Sequence, residues 1–237
     1  MASPPPTVLG LVGDPHAEDE LLEHALDLLA VHQPDVLLCT GDVVDGRGDV
    51  DRTVRLLRDA GVVTVRGNHD RWLLEGEARD LRHAHRADDL DALTRTWLEG
   101  LPAAVRLPLG VPGGLLLCHG LDDDDMNRLR ADDVGYSLEQ NEVLLRLLEE
   151  VVPPAVVVKG HTHRPGAARF GLGTDAWGLP VPRAGGDLLV VDAGTLTRDH
   201  GPTCSVVDLR GGSLTRYDLL TGGHRTSPLP TQPAPAP

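Results

Sequence analysis

The sequence predicts an α/β fold, a sandwich with mixed sheets, and three observations carry that prediction. Short apolar runs rich in Val and Leu alternate with stretches of helical periodicity in the N-terminal part of the chain. The order strand–helix–strand–helix–strand implies parallel pairing through right-handed crossovers. The C-terminal part reads instead as consecutive strands separated by Gly-containing turns, which adds further sheet.

The first strand spans 7–12 and runs into Gly13-Asp14-Pro15-His16. A helix is expected over 18–32, where Leu21, Leu22, Ala25, Leu28 and Leu29 recur at helical spacing. A second strand, 36–39, leads into Thr40-Gly41-Asp42-Val43-Val44-Asp45. A helix over 51–60 follows, then a strand over 62–65 ending in Arg66-Gly67-Asn68-His69-Asp70. The stretch 72–100 is helical and polar. The run 115–118 is a fourth strand into His119-Gly120, and Ser137 with Gln140 has capping-box spacing for a helix to about 151. A fifth strand over 155–158 leads to Gly160-His161-Thr162-His163. Strands over 187–192, 203–209 and 213–219 complete the sequence, and 171–186 reads as a Gly-rich loop with Trp177 packed beneath it. Residues 7–222 are expected to form a single domain, with Pro-rich termini, 1–6 and 226–237, too poor in apolar residues to order.

Composition excludes several classes. The chain has 237 residues with 41% hydrophobic and 24% charged content, ordinary for a globular enzyme. No run has the length of a membrane span and no signal-peptide pattern opens the chain, so the cytoplasm is the expected compartment. A net charge of −14 repels polyanions, and 3 Trp, 2 Tyr and 1 Phe are too few for base-stacking platforms. A long nucleic-acid groove is therefore not expected, while a small phosphate ester is compatible because bound cations reverse the local field. Cys39, Cys118 and Cys204 lie in or beside apolar runs and read as buried free thiols.

The Asp, His and Asn clusters each follow a strand, at the end of the sheet where open α/β folds bind ligands. Singly they mean little, since Asp-x-His is expected about once by chance. His83 and His85 show this: they lie among Arg residues with no strand before them and read as a solvated helix face. The ordered set is different. Two divalent cations require a bridging carboxylate, with imidazoles and neutral oxygens completing the shells. Asp14 and His16 point the same way on an extended segment and can reach one ion, whereas His161 and His163 can each serve a different one. Asn68 supplies a carbonyl oxygen without adding negative charge. Turn-forming preference explains the Gly, Asp and Asn content of such sites, but not the accompanying His residues.

From residue 13 to about 163 the sequence resembles the calcineurin-like metallophosphoesterases, of the smaller bacterial kind. Their ordered pattern is Asp-x-His, Gly-Asp, Gly-Asn-His-Asp, a lone His, and Gly-His-x-His. It is matched by Asp14-Pro15-His16, Gly41-Asp42, Gly67-Asn68-His69-Asp70, His119 and Gly160-His161-Thr162-His163. The resemblance implies a four-layer α/β/β/α sandwich. It implies two divalent metal ions, Mn first and Fe, Zn or Ni as alternatives. One would be held by Asp14, His16 and His163, the other by Asn68, His119 and His161, with Asp42 bridging. His69 would act on the phosphate and Asp70 would orient its ring. The reaction implied is in-line attack on a phosphate ester by a metal-bound hydroxide.

Two departures stand out. The protein-phosphatase branch carries Gly-Asp-x-Val-Asp-Arg-Gly, whose Arg grips phosphate; here one residue more precedes Arg47, the substrate-binding candidate. The late turn Asp192-Ala193-Gly194-Thr195 has Asp-Ala where many relatives carry Asn-Pro. A small or nucleotide-like phosphodiester is the expected substrate, with a phosphomonoester, including phosphoprotein, as the alternative and a non-catalytic scaffold as a third reading. Arg71 and Arg164 could clamp phosphate or pair with carboxylates, and the run Asp122 to Asp125 reads as a solvated loop.

Overall fold

The computed structural model of the chain describes residues 5–77 and 80–231. Its strands form two six-stranded sheets. In the first, β1 (Val8–Val12), β2 (Val36–Cys39) and β3 (Val63–Thr64) are parallel. On the other side of β1, β10 (Thr203–Asp208), β11 (Ser213–Asp218) and β12 (His224–Pro228) are antiparallel. The second sheet has parallel β5 (Leu115–Cys118), β6 (Val156–Lys159) and β9 (Leu188–Asp192) at its centre. It is flanked by β4 (Ala104–Leu107) on one edge and the hairpin β7 (Gly166–Thr174) and β8 (Pro180–Ala184) on the other.

Strand alternation divides the core into three layers. Leu9, Leu11 and Leu38 of the first sheet pack with Leu115, Leu117, Val156, Val158 and Val191 of the second. The opposite face of the first sheet, with Val12, Cys39 and Cys204, buries the apolar stripes of α1 (Asp19–Ala30) and α2 (Val50–Asp59). The opposite face of the second, with Leu116, Cys118 and Val157, is covered by α5 (Tyr136–Glu139) and α6 (Glu142–Leu148). Each fully buried Leu or Val in these layers contributes about 1.5–3 kcal/mol. The result is the α/β/β/α order that the resemblance implied. The three cysteines are free and buried, as expected from their apolar surroundings. Among the described residues no helix is long and apolar enough to cross a membrane.

The structure corrects several expectations. The helix expected from Ser137 to about 151 is two helices, because the Asn141 side chain accepts from Leu144 N and starts a new one. Ser137 makes no capping box; its hydroxyl donates to Val134 O. The expected loop 171–186 is largely the β7–β8 hairpin, with Trp177 85% exposed at its tip rather than packed beneath it. The expected unordered terminus is ordered in part. Thr226 to Pro228 belong to β12, which pairs with β11, and Leu229 is buried in the layer between the sheets. Residues 1–4 and 232–237 lie outside the described residues. Trp97 is half-buried against the helix-side core, and Trp72 in α3 (Asn68–Glu75) is half-buried with its ring centroid 5.0 Å from that of His69.

Candidate active site

The turns after β1, β2 and β3 in one sheet meet those after β5, β6 and β9 in the other. The convergence imposes unusual backbone. Asp14, His16, Asp42, His161 and His163 have φ of 22°, 43°, 52°, 67° and 56°. Left-handed conformations cost a non-glycine residue about 1 kcal/mol or more, so hydrogen bonds between turns must hold them. His16 N donates to Asp42 O at 2.9 Å, and His161 N donates to Asp14 Oδ2 at 2.7 Å. His69 N donates to Asp42 Oδ1 at 2.9 Å. Two glycines make the approach possible. A Cβ at Gly67 would lie 2.1 Å from Asp42 Oδ1, and one at Gly160 would lie 2.2 Å from Asp14 Oδ1.

Two groups of donor atoms result, His16–Asp42–His163 and Asp42–His119–His161, each compact enough for one ion and sharing Asp42. The ring tautomers explain what the groups require. His119 Nδ1 donates to the carbonyl of Thr40 at 2.8 Å, so in the neutral ring Nε2 is a bare lone pair. That lone pair faces Asn68 Oδ1 at 2.9 Å and Asp42 Oδ2 at 3.2 Å. His16 Nδ1 likewise faces the carbonyls of Val44 and Asp45, at 3.0 and 3.1 Å. This leaves its Nε2 3.1 Å from His163 Nε2 and 3.6 Å from Asp42 Oδ2. Asn68 Oδ1 also lies 2.9 Å from His161 Nδ1. Acceptors aimed at acceptors call for cations between them, and backbone carbonyls fixing the far ring nitrogen are the usual support for metal-binding His. The residues present therefore fit divalent ions. Asp14, fully buried, adjoins both groups, with Oδ2 3.4 Å from His163 Nε2 and Oδ1 3.6 Å from His119 Nδ1.

With no ion between these acceptors, protonation of His119 relieves the conflict. Burial opposes charge on Asp42, but His119, His16 and His69 outweigh it and hold the carboxyl well below the usual range. Burial also opposes charge on His119, yet Asp42 and Asp14 outweigh it and raise the ring to about 10. Asp14 is raised to about 7 by burial, with His119 opposing and Asp42 adding. His163 and His161 are lowered to about 3 and 4, chiefly by burial and then by His16 and His119 respectively. Both rings are thus neutral near pH 7, the form that ligates.

His69 Nδ1 donates to Asp45 Oδ2 at 2.8 Å. This corrects the expectation that Asp70 orients the ring. Asp70 is instead buried behind it, accepting from Val43 N and Val44 N with Oδ1, at 2.9 and 3.2 Å, and from Gly67 N with Oδ2 at 2.9 Å. It ties the turn after β2 to the turn after β3. Burial, with Asp42 adding to it, raises Asp70 to about 7. For His69, burial opposes the charged ring but the bond to Asp45 and the field of Asp42 outweigh it and raise its pKa.

The calcineurin-like phosphoesterase family profile matches residues 7–190. The chain belongs to that family. Accordingly it is a metal-dependent phosphoesterase, a hydrolase. Solved structures similar in fold include a metallophosphoesterase from Sphaerobacter thermophilus, 18% identical with a TM-score of 0.59 over 85% of this chain and 83% of that one. Protein PH1004 from Pyrococcus horikoshii OT3 is 12% identical, with a TM-score of 0.60 over 94% and 88%. The phosphoesterase Yfce from E. coli is 16% identical, with a TM-score of 0.52 over 94% and 99%. No curated protein matches the chain in sequence.

Several side chains of this calcineurin-like phosphoesterase stand elsewhere than the sequence suggests. Arg47 does not join the donor groups; its Nη2 donates to both carboxylate oxygens of Asp199, at 3.0 and 2.9 Å, on the surface. Arg71 is held by Asp125 and Glu75, so part of the acidic run is an Arg partner rather than free loop. His200 stacks edge-on against His163, ring centroids 5.0 Å apart, although it is exposed. His85 is not on a helix. It is half-buried and exchanges two hydrogen bonds with Asp45, while His83 is exposed. The late turn is anchored by buried Lys159, whose Nζ donates to Asp192 Oδ2 at 3.0 Å and to Gly160 O at 2.6 Å. The same carboxylate accepts from Thr162 Oγ1 at 2.7 Å, and Thr195 Oγ1 donates to Asp14 O at 2.9 Å. Lys and Asp at these two positions are a matched pair; the departure from Asn-Pro in the late turn was its only signal in the sequence.

Proposed function

We propose that the chain hydrolyses a phosphate ester at a centre of two divalent ions bridged by Asp42. One ion would be held by Asp14, His16 and His163, the other by Asn68, His119 and His161. The observation that carries this reading is the sharing of one buried carboxylate by two groups of inward-facing lone pairs. Two ions there would polarise the phosphoryl oxygens and activate water at neutral pH. The chain's own contribution is orientation and proton handling. With Nδ1 committed to Asp45, His69 presents Nε2 on the side of Asp42, whose Oδ2 is 4.0 Å away. From there Nε2 bonds a phosphoryl oxygen and gives its proton to the leaving oxygen as the ester P–O bond breaks, while the water oxygen joins phosphorus and one water proton passes to solvent, from which the ring is reprotonated. The mixed nitrogen and oxygen donors suit Mn, with Fe, Zn or Ni as competitors. Three buried free thiols are consistent with a reducing compartment such as the cytoplasm.

The substrate we assign is a small or nucleotide-like phosphodiester. Of the guanidinium groups that could grip a monoester dianion, Arg47 and Arg71 are engaged by carboxylates, which leaves the exposed Arg164 beside His163 as the remaining candidate. Steady-state rates with added Mn²⁺ on bis-p-nitrophenyl phosphate and p-nitrophenyl phosphate test this. Faster turnover of the diester is expected. A large preference for the monoester overturns the substrate assignment, and hydrolysis of neither overturns the function.

A further inference from the structure

Asp45 is the residue that faces His69, and its own placement is strained. Its φ is 65°, in the left-handed region, and its side chain is almost fully buried. A residue in that conformation is defined by what holds it. The backbone N–H of Asp45 donates to His85 Nδ1 at 3.0 Å, and the backbone N–H of His85 donates back to Asp45 Oδ1 at 2.8 Å. The two bonds form a closed exchange between positions 40 residues apart in sequence.

The exchange also fixes protons. An amide N–H can only donate, so His85 Nδ1 carries a lone pair and the neutral ring has its proton on Nε2. A carboxylate can only accept, so His69 Nδ1 carries a proton toward Asp45 Oδ2. With Oδ1 turned to the His85 backbone, the planar carboxylate has Oδ2 aimed at His69. Three groups in series therefore set the direction of His69 Nε2: the loop that presents His85, the strained turn at Asp45, and the His69 ring.

We infer that His85 is a positioning residue for ester hydrolysis, holding Asp45 so that Asp45 holds the His69 ring toward the leaving oxygen. The inference rests on the reading of His69 as the group that acts on the ester. It separates two tasks within one site: the donor groups around Asp42 bind ions, while the line from His85 through Asp45 aims a proton. Loss of the His85 acceptor removes one of the two bonds of the exchange and loosens the backbone at Asp45 that sets the direction of its carboxylate, without removing any proposed ion ligand. Its effect should grow as the leaving group becomes more dependent on a proton, since general-acid assistance matters least when the departing oxygen is already a weak base.

The test uses the full-length, Mn²⁺-loaded chain as wild type, His85→Ala and His85→Asn. Two matched diesters serve, thymidine 5′-(p-nitrophenyl) phosphate and its unsubstituted phenyl counterpart. His85→Ala is expected to keep its metal content and KM. Its kcat should fall about tenfold or more on the phenyl ester and far less on the nitrophenyl ester. His85→Asn, whose Oδ1 can replace Nδ1 as the acceptor, should recover most of the loss. Equal losses on both esters without recovery in His85→Asn would mark a purely structural residue and overturn the inference, as would an unchanged kcat. If His85→Ala does not fold, His85→Leu, closer in volume and also without the acceptor, supplies the same comparison. A wild-type chain that hydrolyses neither ester overturns the proposed function itself, an outcome distinct from an active enzyme indifferent to His85.

Discussion

His119 Nε2 lies 2.9 Å from the carboxamide oxygen of Asn68, and in the neutral ring, whose proton sits on Nδ1 toward Thr40 O, the two are acceptor against acceptor. Without an ion the chain meets this conflict with protons. His119 is raised to about 10 and Asp14 to about 7, while His161 and His163 stay neutral near pH 7.

Ion uptake must therefore displace protons from His119 and Asp14. Groups whose pKa is raised in the ion-free fold compete with the metal below those values, so affinity should strengthen as pH rises from about 5 to 8. Titration calorimetry of Mn²⁺ binding at pH 6.5, repeated in buffers of different ionisation enthalpy, should show net proton release. Binding without proton release would contradict the arrangement of lone pairs described above.

His69 and Asp70, adjacent in sequence, should fail in different ways. His69→Ala is expected to retain both ions and to lose about 10²–10⁴-fold in turnover, the usual weight of general acid–base assistance. Asp70→Asn places an amide among three backbone N–H donors, where only an acceptor fits. It should lower stability by about 1–3 kcal/mol. Chemical denaturation of the chelated protein and kcat of the metal-loaded one separate the two. Full turnover in His69→Ala on activated and natural substrates alike would remove that residue from the chemistry.

Lys159 and Asp192 are both buried and join the ends of β6 and β9 beneath the His161 turn. Lys159→Met removes the cation and leaves a buried carboxylate with Thr162 and Gly194 as its remaining hydrogen-bond donors. A loss of about 3–5 kcal/mol is expected, with the Lys159→Met/Asp192→Asn double variant more stable than Lys159→Met alone. Urea denaturation midpoints read both; equal stability of wild type and Lys159→Met would show that the pair contributes nothing.

How much of this was legible in the sequence follows from what each residue depends on. The convergence of Asp14, His16, Asp42, Asn68, His119, His161 and His163 was readable because each follows a strand with clear apolar periodicity, and the fold brings parallel strand ends together. The contact of Asp45 with His69 was not readable. Asp70 adjoins His69 in sequence, but on the first turn of a helix its carboxylate turns back to the N-terminal amides, while Asp45 arrives from another loop. His85 gave no local signal, since its contact is made across tertiary space from a polar segment. Arg47 was misplaced because an ion pair with Asp199 competes for it. In the fold, Gly and Pro in 171–186 hid the β7–β8 hairpin, and the break at Asn141 was masked by continuous helical periodicity around it.

The proposed centre requires Asp42 to bridge two ions. Anomalous diffraction from Mn²⁺-soaked crystals, for wild type and Asp42→Asn, tests it most directly. The expected result is two anomalous peaks in the wild type, on either side of the Asp42 carboxylate, with both weakened in the variant. A single peak, or two peaks of undiminished height in Asp42→Asn, would contradict it.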